Sequence, residues 1–119
     1  FVHISDVVQA NILAMEAEAA DGKVYNVGTG KATTVLRIAE LLSEQLDFHE
    51  PPDVMGTYRA GDIRHCYADI SRIRDELGYR PAVDLADGIA ELLAWLRSQT
   101  ADDRIDEAAR ELAERGLAR

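Results

Sequence analysis

Hydrophobic positions along the chain follow two rhythms, one helical and one extended. Phe1-Val2-His3-Ile4 is an apolar run that predicts a short strand. Ser5 or Asp6 can cap the helix after it, because a short side-chain oxygen accepts a bond from a free amide. Val7, Val8, Ile12, Leu13 and Met15 carry that helix at a period near 3.6 to about Ala20. Asp21-Gly22 predicts a turn, and Val24-Tyr25-Asn26-Val27 a strand ended by Gly28-Thr29-Gly30. Thr33 or Thr34 caps a second helix, with Val35, Ile38, Leu42 and Leu46 as one face. It stops near Asp47, and Pro51-Pro52 forbids its resumption.

Beyond the prolines the pattern weakens. Val54 to Tyr58 reads as extended, Arg59 to Asp62 as a loop and Ile63 to Ala68 as a wet strand. Asp69 or Ser71 caps a short helix bearing Ile73 and Leu77, and Gly78 closes it from the position past the end. Tyr79-Arg80-Pro81 is extended. Asp84 with Asp87 makes a weak capping box for a helix carrying Leu85, Ile89, Leu92, Leu93 and Leu96 to about Ser98. A charged joint, Ala101 to Arg104, leads to a final helix with Ile105, Ala109, Leu112 and Ala113 on one side and Gly116 at its end. Alternating strands and helices predict an α/β fold.

Composition narrows the function classes. At 119 residues, 47% hydrophobic and 29% charged, the chain is sized for one domain or less and suits a globular core. A compact chain of this length buries roughly two thirds of its unfolded surface. The net charge of −9 argues against nucleic acid as a partner. No apolar run approaches the ~18 residues of a membrane span, and no basic leader precedes an apolar stretch. The single cysteine, Cys66, excludes internal disulfides and multi-cysteine metal sites and suggests a reducing, cytoplasmic setting. The apolar opening without an initiator methionine leads us to expect residues before Phe1.

The motifs are informative mainly by exclusion. Gly28-Thr29-Gly30-Lys31 lacks the glycine and hydroxyl of a phosphate loop, since Tyr25 and Ala32 occupy those places. Thr33 replaces the third glycine of a dinucleotide fingerprint, so the loop reads as a structural turn. His65 and Cys66 are chain neighbours and, on a strand, point to opposite faces. Tyr25, Tyr58, Tyr67 and Tyr79 are followed four residues later by Thr29, Asp62, Ser71 and Val83, never by lysine. No set of residues forms a catalytic centre or a metal site. The densest polar run is Tyr58-Arg59-Ala60-Gly61-Asp62-Ile63-Arg64-His65-Cys66-Tyr67-Ala68-Asp69. Its arginines could clamp an anion through the guanidinium fork, with Asp62 accepting from sugar hydroxyls. Alternatively, they pair with Asp62 and Asp69 on an exposed turn.

This run, continued by Leu77-Gly78-Tyr79-x-Pro81 and Leu85-x-x-Gly88-Ile89, resembles the C-terminal part of UDP-glucose 4-epimerase-type enzymes. These are extended short-chain dehydrogenase/reductases of the NAD-dependent epimerase/dehydratase family. Phe1-Val2-His3-Ile4-Ser5-Asp6-Val7 and Tyr25-Asn26-Val27-Gly28-Thr29-Gly30 match the same family in the same order, so the resemblance covers residues 1 to about 98. It implies that residues 1–30 complete a Rossmann-type cofactor sheet and residues 31–100 form a substrate-binding lobe. Residues 101–119 lie beyond it, as a helix of unknown role. It implies a nucleotide-sugar substrate, NAD bound by an N-terminal domain upstream of this chain, and a homodimer for the intact enzyme. Arg59 then corresponds to the diphosphate-gripping arginine and Asp62 to the ribose-bonding acid. Val35 corresponds to an apolar residue near the base, and Cys66 to a small residue beside the sugar that leaves room for an N-acetyl group. The expected activity is 4-epimerisation of a UDP-sugar, with this chain alone inactive. The alternatives are dehydratase, reductase or deoxysugar-nucleotide chemistry in the same family, or a non-catalytic nucleotide-sugar module.

Overall fold

The computed structural model describes residues 1–100 and 102–117. Among the described residues five α-helices follow in order: α1 (Ile4–Glu16), α2 (Val35–Leu46), α3 (Ser71–Leu77), α4 (Leu85–Leu96) and α5 (Ile105–Glu114). A 3-10 turn, Glu18–Ala20, follows α1. No strand ladder forms among the described residues. The expected strands at Phe1–Ile4, Val24–Val27 and Ile63–Ala68 are therefore corrected: helix begins at Ile4, and the other two runs join no ladder, the second being bent at Arg64. A strand exists only through hydrogen bonds to a neighbour, and the described residues do not supply one. Val24 is accordingly 80% exposed despite its strand-forming side chain.

Local chemistry sets the helix ends. His3, not Ser5 or Asp6, caps α1, its Nδ1 accepting from the Ser5 amide at 3.3 Å. α1 ends four residues before the expected Ala20, giving way to the 3-10 turn. Thr34 caps α2 through Oγ1, which accepts from the Arg37 amide at 3.0 Å. Asp47 ends α2 in the left-handed region at φ 55. Asp69 accepts from the Ser71 amide at 2.9 Å, one residue ahead of the N-cap position of α3, which Ile70 holds. Gly78 closes α3 at φ 71, as its spacing predicts. Asp84 stands at the N-cap of α4 but makes no side-chain cap bond and pairs with Lys31 instead, and α4 stops at Leu96.

Two small cores result. Ala10, Ile73 and Tyr79 form one, supported by Leu13, Tyr25, Val27, Ile70 and Leu77. Leu41, Ile89 and Leu93 form the other where α2 crosses α4, supported by Ile38, Leu42 and Leu85. The buried stripe of α1 runs through Asp6, Ala10 and Leu13, leaving Val8, Ile12 and Met15 exposed, contrary to the simple hydrophobic reading. Asp6 is 2% exposed. Its carboxylate accepts from the amides of Ala82 at 2.9 Å and Val83 at 3.4 Å, which joins the first turn of α1 to the segment entering α4. Tyr79 is fully buried and donates its hydroxyl to the Gly28 carbonyl at 3.1 Å. Burial, and behind it the Asp6 charge, raises the Tyr79 hydroxyl pKa.

The surface is large for the mass. The accessible area is 9722 Å² and the radius of gyration 18.0 Å. A compact monomer of this mass exposes ~6400 Å², and one of this length has a radius near ~13.5 Å. About half of the unfolded surface is buried rather than the expected two thirds. We expect Asp6→Ala to lose about 1.5–3 kcal/mol, the scale of hydrogen bonds to a charged acceptor, and Asp6→Asn to lose less because one oxygen remains. Chemical denaturation of the three proteins checks this; equal midpoints would remove the clamp from the account.

Candidate functional site

The turn that carries Arg59 is built on a glycine. The Asp62 amide donates to the Arg59 carbonyl at 3.2 Å, with Gly61 at φ 87 in the third position of the turn. A side chain is strained at that φ, so glycine suits the position. Arg59, Asp62, Arg64 and Cys66 are all exposed, and Ala60 is half-buried. Among the described residues no ion pair joins Arg59 or Arg64 to a carboxylate. Asp69, one proposed partner, spends its carboxylate on the Ser71 amide, which lowers its pKa. The paired-turn alternative therefore has no support among the described residues. Arg59 and Asp62 share one turn. Val35 begins α2 and is 78% exposed, so it is not part of the buried face of α2 that the spacing suggests.

The C-terminal end of this segment is firmly seated. A side chain at Gly28 would meet the Ala68 Cβ at 2.9 Å, and one at Gly30 would meet Ile70 Cγ1 at 3.1 Å. Gly30 also sits at φ 70. The glycine loop is thus used for close packing against residues 68–70, as the failed fingerprints indicate. Asn26 adds a bond from Nδ2 to the Asp69 carbonyl at 3.3 Å. Because Ala68 and Ile70 fill the space beside these glycines, the loop does not fit the pyrophosphate of NAD.

A polar cluster holds the preceding run. Glu76 on α3 accepts from Lys23 Nζ at 2.8 Å, the Tyr25 hydroxyl at 2.7 Å and Arg72 Nε at 3.3 Å. Arg72 also donates to the Val24 carbonyl at 3.1 Å, and its guanidinium lies 5.2 Å from the Tyr25 ring centroid. The bonds from Lys23 and then Tyr25, with help from Arg72, hold the Glu76 carboxyl down at about 2 from an ordinary 4.5. The same bond to Glu76 raises the Tyr25 hydroxyl. Apart from the i, i+4 pair Arg72–Glu76, these residues do not stand out in the sequence as a cluster, because Lys23 and Tyr25 lie about fifty positions from Glu76.

A cleft of about 860 Å³ lies elsewhere, between α2, α4, residues 1–3 and the 29–34 loop. Arg59, Asp62, Cys66 and Val35 do not line it. Its basic side chains have partners: Lys31 pairs with Asp84, Arg37 with Glu40 and Glu44, and His3 Nε2 lies 3.2 Å from a Glu91 carboxylate oxygen. The apolar repeats of α2 and α4 are the sequence signal for this cleft, through Ile38, Leu41, Ile89 and Leu92. Among the described residues no three His, Cys, Asp or Glu side chains gather as a metal set, and no helix is long and apolar enough to cross a membrane.

Comparison with known proteins gives this geometry its class. Over about four-fifths of its length the chain matches the extended short-chain dehydrogenase/reductase family, as a portion of that family's nucleotide-sugar epimerases and dehydratases. Among those similar to it is the dTDP-L-rhamnose 4-epimerase of Burkholderia thailandensis, 33% identical over 83% of this chain and 27% of the relative. The dTDP-glucose 4,6-dehydratase of an Actinoplanes species is 41% identical over 82% of this chain and 30% of its own length. The crystal structure of UDP-glucose 4-epimerase from Thermotoga maritima, with UDP-glucose, superposes with a TM-score of 0.68 at 36% identity. That match covers 81% of this chain and 30% of the solved one. The chain thus spans less than a third of the length of these relatives. No family model matches it. The assignment to part of an epimerase fold fits the match, with the low strand content noted above.

The Glu76 cluster generates a pH expectation. Its folded pKa lies below the unfolded value, so its stabilisation is fully present above about pH 4.5 and is lost as pH falls toward about 2. Glu76→Gln should melt below the wild type at pH 6–7, and the gap should close progressively between pH 4.5 and 2. A gap that does not change with pH, or a Glu76 carboxyl that titrates near 4.5 by NMR, counts against the cluster.

Proposed function

We propose that this chain is the substrate-binding portion of an NAD-dependent nucleotide-sugar 4-epimerase, with a UDP-sugar as substrate. The observation that carries the reading is the Arg59 turn: a glycine-built loop presenting guanidinium groups with no carboxylate partner among the described residues. A pair of parallel bonds from a guanidinium to phosphate oxygens is the strong form of such recognition. Arg59 holds the diphosphate, and Asp62, three residues along the same turn, accepts from the ribose hydroxyls. Val35 lies near the base. Cys66 faces the sugar and, being small, admits an N-acetyl group. The similarity to a UDP-glucose 4-epimerase structure at 36% identity supports this assignment.

In this reading residues 1–30 are a late helix and an extended segment of the cofactor domain, residues 31–100 are the substrate lobe, and NAD is held by sequence outside this chain. The intact enzyme is a cytoplasmic homodimer. Acidic net charge does not oppose an anionic ligand when positive charge is concentrated at one turn. A second reading is nucleotide-sugar dehydration, and the 41% identity to a dTDP-glucose 4,6-dehydratase favours it. Both readings give Arg59 the same task, because the diphosphate is common to both substrates.

Arg59→Ala in the full-length protein should weaken nucleotide-sugar binding by about 1.5–3 kcal/mol, the scale of a charge-assisted bond. Calorimetry with UDP and dTDP reads this, and unchanged affinity for both refutes the role. Product analysis with UDP-glucose and dTDP-glucose separates epimerisation from loss of water. The 119-residue chain alone should give no turnover of either sugar; measurable turnover would show that the chemistry resides here.

A further inference from the structure

We propose that the capped end of α5 is a strap that sets the backbone of the Arg59 turn, making Gly116 and Leu117 positioning residues for Arg59. α5 ends with Gly116 at φ 65, a conformation that side chains adopt poorly. The Gly116 amide donates to the Ala113 carbonyl at 3.0 Å and the Leu117 amide to the Leu112 carbonyl at 2.9 Å. These are the paired reversal bonds of a glycine-terminated helix, in which the residue after the glycine packs back on the last turn. Leu112 and Leu117 are accordingly half-buried while every other residue of α5 is exposed.

The reversal aims the Leu117 carbonyl outward, and the Ala60 amide donates to it at 2.7 Å. Among the described residues, this is the one hydrogen bond that joins residues 50–68 to the rest of the chain; the other in that stretch is internal to the turn. A segment of nineteen residues without a helix or ladder otherwise has to be ordered when a ligand arrives, and that ordering subtracts from affinity. Pinning Ala60 holds Arg59 ready, so a larger fraction of molecules is competent to bind.

The inference rests on the diphosphate role of Arg59, and the test separates the two. In the full-length protein, Gly116→Val breaks the left-handed cap, whereas Gly116→Asn keeps it, because asparagine tolerates that region. The Val variant should exchange the Ala60 amide at least about tenfold faster and bind UDP about three- to tenfold more weakly. Its kcat at saturation should stay unchanged, and the Asn variant should restore both properties. A chain ended after Asp103 should behave like the Val variant. If Ala60 stays protected in Gly116→Val and in the shortened chain, or if it is freed with no change in UDP affinity, the strap is overturned. If Arg59→Ala leaves UDP binding intact, the nucleotide reading falls and the positioning role falls with it, whatever Ala60 does. If Arg59→Ala weakens UDP binding while the cap variants change nothing, only the strap has failed.

Discussion

The fold turns on one buried carboxylate. Asp6 receives two amides from a segment 76 and 77 residues further along the chain. A buried carboxylate is costly unless its oxygens are bonded, so few alternative dockings of α1 can satisfy it. Tyr79, three residues before Ala82, sits beside this clamp and reaches the Gly28 carbonyl. Through these two side chains α1, the glycine loop and the entry to α4 become one unit. The glycine loop in turn seats Ala68 and Ile70, which fixes the near end of the segment bearing Arg59. The distance from Asp6 to the candidate site is long in sequence but short in dependence.

Local rules made the helices legible. Thr34 caps, Gly78 and Gly116 terminate, and the i, i+4, i+8 pattern of Leu85, Ile89 and Leu93 points to a buried face that exists. The first helix was read less well, since a buried Asp6 is indistinguishable in sequence from a surface acid. His3 as a cap is likewise uncommon beside Ser5, which has the better propensity. The strands failed for a different reason. Val24–Val27 has the composition of a strand, but pairing is a property of two segments, and here side chains of α3 hold it where a ladder would.

The candidate site was legible in part. Gly61 in a polar run is a turn signal, and arginine on such a turn is an anion signal, so Arg59 and Asp62 could be singled out together. The spacing assigns Val35 to the apolar face of α2, yet a residue at the first position of a helix has few neighbours, and it is exposed. The link from Leu117 to Ala60 was invisible, since a backbone bond between residues 57 positions apart leaves no mark on composition or periodicity.

The same geometry explains why an exposed arginine can matter. In open water a guanidinium gains little from an anion, because solvent screens the pair and the long side chain loses entropy on being held. The attraction grows as the surroundings become less polar. Tyr58 and Ile63 flank the Arg59 turn in the chain and are themselves exposed, 63% and 77% respectively. They are apolar surfaces beside a charged group, on a chain that exposes about half as much again as a compact protein of its mass. Covering those side chains would remove water from the turn and strengthen every bond that Arg59 makes. Under the proposed function, the hold of this turn on a diphosphate then depends on what covers Tyr58 and Ile63 as well as on the guanidinium itself.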